Sequence, residues 1–288
     1  MSVKETFWAG AQNVVGASMR VYRASPLYPR LGRTLGKMLG VVTRNAVKIV
    51  IREIDGATFE LDLREVIDAS LFYSGTFEVE AERTITAALK PGMTAVDIGA
   101  NFGYHTFRMA KAVGNDGRVI AIEPTEWAFG KLQRNMALNS FKNIYPLKMA
   151  LGDCDQGPTE LRVQSSYRLD GTDLSMNEIV PMYTLDTAMT ANGVGRVDFV
   201  KMDVDGFEGK VIRGARKTLA KHQPILFFEV TPSAMRANGD DPTELVSTLT
   251  GLGYSVQTEA RKPITDVGLY LAKVARGYAV NLFAVPPG

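Results

Sequence analysis

Short apolar runs and amphipathic stretches take turns along most of the chain. The runs predict strands near 94–99, 118–123, 145–150, 198–203 and 225–230, and the stretches predict helices near 104–113, 125–139, 207–221 and 242–252. Val96-Asp97-Ile98 suits a strand buried on both faces, as in a parallel sheet covered by helices. Alternation of this kind predicts an α/β fold with ligands at the carboxyl ends of the strands. Upstream, Val47–Ile54 and Ala57–Leu63 alternate about Asp55-Gly56, a type I′ turn pair, and predict a β-hairpin. Glu78–Leu89 predicts a helix that stops at Lys90-Pro91-Gly92, and the first forty residues predict helical pieces broken by Ser25-Pro26 and Pro29. The chain thus divides into a helical arm at 1–45, a hairpin and helical preface at 46–90, and an α/β domain at 91–288 with an irregular insertion near 151–196.

Acidic residues are phased with the predicted strands. Asp97, Glu123, Asp203 and Glu229 all fall at carboxyl ends, where random surface acids would not line up. Asp97 leads into Gly99-Ala100-Asn101-Phe102-Gly103, a turn whose glycines permit sharp bends and the close approach of a ligand. The glycines are spaced G-x-x-x-G, with Asp97 two residues ahead, which departs from the G-x-G-x-x-G dinucleotide fingerprint and counts against NAD. Glu123 ends the next strand 24 residues after Gly99, where a carboxylate can accept hydrogen bonds from ribose hydroxyls. An adenosine-containing ligand is expected.

At this point the chain resembles a class I S-adenosylmethionine (SAM) methyltransferase, and further blocks narrow the resemblance to the FkbM family. These are the D-x-G-A-N-x-G-Y turn at 97–104, Glu123-Pro124 followed by Leu132, Asn135 and Asn139, the Tyr183-Thr184-Leu185-Asp186 step, and Lys201-Met202-Asp203-Val204-Asp205-Gly206-Phe207-Glu208 ahead of an apolar strand closing on Glu229-Val230. Position 205 is Asp where Glu is more usual, which preserves the charge. The resemblance, spanning about 75–235, implies a Rossmann-like fold: a mostly parallel seven-stranded sheet with helices on both faces and an antiparallel closing strand at 279–285. It implies SAM as cofactor, with Asp97, Gly99, Asn101 and Gly103 around the methionine part, Glu123 on the ribose, and Asp203 with Glu229 near the reacting centre. It also implies O-methylation of a hydroxyl on a sugar, glycolipid or polyketide-like metabolite, with Leu71–Glu78 covering the pocket and the insertion shaping the acceptor side. Trp127 and Phe129, just after Glu123-Pro124, are candidates to flank the adenine, with core packing the expected role of Phe129.

An alcohol acceptor must lose a proton during attack, which calls for a base or a metal. Asp203 is the first candidate, and it can also contact SAM; Glu229 follows, and His105, directly after the glycine turn, could titrate near neutrality. Asp203 and Glu229, joined by Asp205, could hold Mg²⁺ or Ca²⁺ through oxygen ligands, but adjacent carboxylates also occur without a metal, so none is assigned. A single cysteine, Cys154, and two histidines exclude a disulfide within the chain and a Cys/His zinc site. An NAD-dependent oxidoreductase, or a SAM-binding protein without catalysis, are the alternatives.

With 45% hydrophobic and 22% charged residues the composition is that of a globular protein. No apolar run reaches the roughly 18 residues of a membrane span, and the start does not resemble a secretory signal, so a cytoplasmic location is expected. Net charge is +2 but uneven: residues 1–52 hold nine basic side chains against Glu5 alone, a net +8, which leaves −6 for the rest. The basic arm could dock on the acidic body or on a second copy of the chain, or lie against the inner face of an anionic membrane. Nucleic acid is disfavoured because no platform of interleaved aromatic and basic residues accompanies the charge.

Overall fold

The computed structural model describes residues 49–168, 173–274 and 279–287, so the basic arm lies outside the described residues. In chain order the elements are β1 (Ile49–Ile54), β2 (Ala57–Asp62), α1 (Val66–Ser74), α2 (Val79–Ala88), β3 (Thr94–Ile98), α3 (Tyr104–Val113), β4 (Arg118–Ile122), α4 (Glu126–Ala137), β5 (Ile144–Leu147), β6 (Ala150–Leu151), β7 (Gly157–Tyr167) and β8 (Asp173–Tyr183). There follow α5 (Leu185–Ala191), β9 (Phe199–Met202), α6 (Glu208–Arg213), α7 (Arg216–His222), β10 (Ile225–Val230), α8 (Pro232–Ala237), α9 (Pro242–Gly251), β11 (Ser255–Thr258), α10 (Val267–Val274) and β12 (Val280–Val285).

Two compact units emerge. Among the described residues, one gathers 49–79 with 134–140, 162–168 and 173–177. Its hairpin pairs β1 with β2 antiparallel, and Asp55 and Gly56 both take positive φ, 54° and 81°, as a type I′ turn requires. Phe59, Leu61 and Leu63 are fully buried along one face. The edge of β2 away from β1 is covered by side chains: Thr58 N–H donates to Asn139 Oδ1 (2.8 Å), Asn139 Nδ2 donates to the Thr58 carbonyl (2.7 Å), and Glu60 N–H donates to Asn135 Oδ1 (2.8 Å). Four helical residues rise about 6 Å and two strand residues about 6.7 Å. Asn135 and Asn139 therefore fall in step with Glu60 and Thr58, and backbone groups that would invite another strand are satisfied.

The second unit, Glu80–Gln133, Phe141–Leu161 and Glu178 onward, contains a seven-stranded sheet in the order β11-β12-β10-β9-β3-β4-β5. The neighbours from β10 to β5 run parallel, and β12 runs antiparallel to both β10 and β11. This is the expected class I arrangement, closing strand included. β9 is buried at every residue and β3 at all but Thr94, which explains their unbroken apolar character. The strand order reverses at β3, which lies between β4 and β9.

Three local differences from the sequence reading have physical causes. The strand expected at 145–150 is divided, because β5 ends at Leu147 and Ala150-Leu151 pairs with Met182-Tyr183 of β8 in a separate sheet ordered β6-β8-β7. The helix expected at 207–221 is also two: at Gly214 an added Cβ would lie 2.0 Å from the Gly152 carbonyl oxygen, so the chain turns against that backbone before α7 begins. The amino end of α7 is held by Asp186, which accepts from Lys217 N–H (2.9 Å) and Thr218 N–H (2.7 Å). Finally β11, α8 and α10 run for only 4, 6 and 8 residues, too short for a periodic signal.

Candidate functional site

Strand register builds the site. Ile98 pairs with Ile122 on one side and Met202 on the other, Met202 pairs with Phe228, and Glu229 pairs with Asn281. The next residues thus stand at one level across five neighbouring strands: Glu123, Gly99 and Asp203 just past their strands, and Glu229 and Asn281 within β10 and β12. Two residues lower, and on the same face by the period of a strand, Asp97 pairs with Lys201.

Asp97 and Lys201 form the foundation of this crest. Asp97 is wholly buried; its Oδ2 accepts from Thr106 Oγ1 (2.6 Å), and its Oδ1 lies 3.4 Å from Lys201 Nζ. Lys201, 4% exposed, donates to the Gly99 carbonyl (3.0 Å) and stands 3.8 Å from Asp203 Oδ2. With no surface of its own, Asp97 acts toward any ligand through the turn it braces. The Asp203 side chain is 39% exposed and is the open acid of the group. Lys201 had no role in the sequence reading, although a lone lysine in an apolar strand, two residues before an acid on the same face, is a usable signal.

The glycine turn follows from packing. Gly99 has φ +75°, and a Cβ there would lie 1.9 Å from the Asp203 carbonyl oxygen, while at Gly103 it would meet Leu132 at 2.7 Å and Phe107 at 2.8 Å. Both glycines are demanded by the protein itself. Asn101 takes φ +51°, and its Oδ1 accepts from Phe102 N–H (2.8 Å), the short side chain stabilising a left-handed residue.

Glu123 ties this turn to the next strand. Its Oε2 accepts from Asn101 N–H (2.9 Å), and its Oε1 accepts from Thr125 N–H (2.9 Å) and Thr125 Oγ1 (2.7 Å). Burial pushes its carboxyl above the usual range, against the Thr125 and Asn101 hydrogen bonds and the charge of Lys201. A carboxylate offers about four acceptor positions. Three are filled, and one on Oε2 remains for a hydroxyl.

Beyond Asp203 the chain turns through Asp205 (φ +50°) and Gly206 (φ +94°) into α6. Glu208 Oε1 fastens that turn by accepting from Val204 N–H (3.1 Å) and Gly206 N–H (3.2 Å). Burial pushes the Glu208 carboxyl up to about 7. Glu229 Oε2 accepts from Thr231 Oγ1 (3.1 Å). His105 is 8% exposed in the first turn of α3, edge-on to the Tyr104 ring at 5.1 Å. Tyr104 in turn donates to Glu82 (2.6 Å), which pairs with Arg108 (2.9 Å) and so locks α2 to α3. Trp127 is half-buried on α4, its ring 5.2 Å from Lys131 Nζ. Among the described residues no group of three or more His, Cys, Asp or Glu side chains converges as a metal site.

The comparisons with known proteins agree with this geometry. Residues 97–256 match the profile of the family described as methyltransferase FkbM domain. The chain belongs to the FkbM family of SAM-dependent methyltransferases. That membership decides against the dinucleotide alternative, and the fold is the class I fold the family implies. The chain is 26% identical over 213 residues to an arsenite methyltransferase of Halobacterium salinarum, a match covering 62% of this chain and 49% of the relative, so the chain spans about half the length of that curated protein. Among solved structures it is similar to a putative rRNA-methylase from Clostridium thermocellum (TM-score 0.47, 15% identity, 74% of this chain and 98% of that one). It is also similar to a methyltransferase FkbM from Methylobacillus flagellatus (TM-score 0.42, 16% identity, 75% of this chain and 60% of that one).

The residues at the crest fit SAM. Glu123 keeps an acceptor position for a hydroxyl, and the acids Asp203 and Asp205 suit a ligand carrying an ammonium and a sulfonium. Among the described residues no helix is long and apolar enough to cross a membrane.

Proposed function

We propose that the chain transfers a methyl group from SAM to a hydroxyl oxygen of a sugar, glycolipid or polyketide-like metabolite. The observation that carries this reading is the contrast between two acids on one face: Asp97 wholly buried and Asp203 open at the level where the strand order reverses. Ligands of wound parallel sheets bind at that reversal. SAM, when bound, supplies a methyl group on a positively charged sulfur.

The protein's own residues have three tasks. Glu123 receives a ribose hydroxyl on Oε2, while the 99–103 turn, held by Asp97, Lys201 and Glu123, lines the methionine end. Asp203 orients the acceptor hydroxyl and takes its proton as the oxygen attacks, with Lys201 Nζ 3.8 Å away. Glu229, next to Asp203 across the sheet, and His105 are further candidates for handling that proton.

Incubation of the full chain with methyl-labelled SAM and an extract of host glycolipids and polar metabolites tests the reading. Label in a hydroxyl-bearing product that resists base supports it. Label only in nitrogen or carbon positions, or none despite SAM binding, removes it.

A further inference from the structure

The acid that holds the first residue after the glycine turn comes from a helix that none of the motif blocks includes. Tyr104 opens α3 directly after Gly103 and is 3% exposed, and its hydroxyl donates to Glu82 Oε2 (2.6 Å) on α2, 22 residues earlier in the chain. We propose that Glu82 is a positioning residue for the cofactor: through Tyr104 and Arg108 it fixes the 99–104 turn in the form that receives the methionine end of SAM. The inference rests on the reading that sets that end against the turn, and it adds what keeps the turn ready.

Three contacts close on one another. Arg108, one helical turn beyond Tyr104, lays its guanidinium over the Tyr104 ring at 3.7 Å and donates to the Tyr104 carbonyl (3.3 Å). Its Nε stands 2.9 Å from Glu82 Oε1. One carboxylate thus receives the phenol on one oxygen and faces the cation with the other, while Tyr104 is held at its hydroxyl, its ring and its backbone. The Arg108 side chain is 6% exposed and that of Glu82 21%, so solvent screens the pair little.

The turn has no slack with which to absorb a displaced Tyr104. A Cβ at Gly103 would meet Leu132 at 2.7 Å and Phe107 at 2.8 Å, Gly103 N–H donates to the Ala100 carbonyl (2.9 Å), and Asn101 N–H donates to Glu123 Oε2 (2.9 Å). A shift at Tyr104 therefore passes back along the turn as far as the Glu123 contact. α2 is itself fixed at a second point, where Thr84 Oγ1 donates to the Glu259 carbonyl (3.4 Å) just past the edge strand β11. The helix is a strut from that edge to the turn, and Glu82 is its contact with the turn. Without that contact the ligand would have to order a looser turn, and ordering costs affinity.

The test is calorimetry on the full chain with two ligands, SAM and 5′-methylthioadenosine, which keeps the adenosine and lacks the amino-acid end, at a temperature where circular dichroism shows every variant folded. Tyr104→Phe removes the hydroxyl and leaves the ring stack and the ion pair, so it should fold as the parent does; Glu82→Gln removes the charge. Each should lower SAM affinity about 5-fold or more and change affinity for 5′-methylthioadenosine by less than about twofold. In the double variant the losses should not multiply, because both act through one contact. Glu80→Gln, on the same helix with a side chain 74% exposed, should bind both ligands as the parent does. SAM affinity in Tyr104→Phe within about twofold of the parent, losses that multiply in the double variant, or an equal loss in Glu80→Gln would each overturn the role of Glu82 and leave the methyltransferase reading standing. Equal losses for both ligands would overturn it together with the position of the methionine end on the turn, and a parent that binds neither ligand would take down the cofactor reading as well.

Discussion

Lys201 Nζ lies 3.4 Å from Asp97 Oδ1, and neither side chain exposes more than 5% of its surface. One buried ammonium thereby neutralises an acid that has no access to water, holds the Gly99 carbonyl and reaches toward Asp203. Removing one member of such a pair strands the other charge, which typically costs about 3–5 kcal/mol. Lys201→Met should therefore lower unfolding stability by about that much in urea titrations. Adding Asp97→Asn should recover part of the loss, since the double variant strands no charge. A single variant as stable as the parent would show that the pair is not the foundation of the crest.

Two glycines separate conformational cost from close approach. Gly92 (φ +81°) and Gly99 (φ +75°) both occupy the left-handed region, but a Cβ at Gly92 meets nothing within 4 Å and one at Gly99 lies 1.9 Å from the Asp203 carbonyl oxygen. Gly92→Ala should cost about 1–2 kcal/mol, the left-handed penalty alone. Gly99→Ala adds overpacking and must push β3 from β9, for a total of about 3–5 kcal/mol. Thermal unfolding of the two variants side by side checks the difference, and equal shifts would disprove the clash.

Glu208 makes stability depend on pH. Its carboxyl, ordinarily near 4.5, titrates at about 7 because the folded state buries it. Below 4.5 both states hold the proton and no penalty exists; between 4.5 and 7 the unfolded chain releases it first, so stability falls as pH rises, and above 7 the full penalty remains. The gap amounts to about 3 kcal/mol. Glu208→Gln keeps a carbonyl for Val204 and Gly206 and should remove this fall. Stability at pH 5 and pH 8 should differ less in the variant than in the parent, the remainder coming from groups such as Glu123 that burial also raises.

The wound sheet was readable because buried parallel strands must be apolar throughout and their ends carry acids. Both signals survive in Val96–Ile98 and Val200–Asp203. Motif residues were harder to interpret, since a motif marks what a family retains without saying why. Asn135 and Asn139 carry the middle block of the resemblance, yet their side chains cover the edge of β2, in a partnership 75 to 81 residues distant in sequence. Thr184 and Asp186 likewise serve the amino ends of helices, Thr184 accepting from Thr187 N–H (3.1 Å) and Asp186 from Lys217 and Thr218.

Glu123 offers a test of cofactor binding apart from chemistry. Glu123→Gln preserves its size and removes the charge that a ribose hydroxyl would meet, so SAM affinity should fall about 10-fold or more. In the parent, affinity should rise with pH above the ordinary carboxylate range, because burial delays formation of the carboxylate and the ionised form is the better acceptor. Calorimetry across pH reads both effects. Affinity that is unchanged in the variant and flat with pH would remove Glu123 from the ribose.

Asp203 decides between binding and proton transfer. Its side chain is 39% exposed, so Asp203→Asn should cost little stability, and a loss of turnover can be read as chemistry. A positioned base contributes about 10²–10⁴-fold, and the amide has no comparable basicity. Turnover should drop at least about 100-fold with SAM affinity within about twofold. Equal losses in kcat and SAM affinity would instead make Asp203 a cofactor contact. The same measurements on Glu229→Gln and His105→Gln then assign the proton: whichever variant alone loses turnover without losing SAM holds the base. If Asp203→Asn retains both, the base lies elsewhere on the crest and the open acid serves only to orient the acceptor.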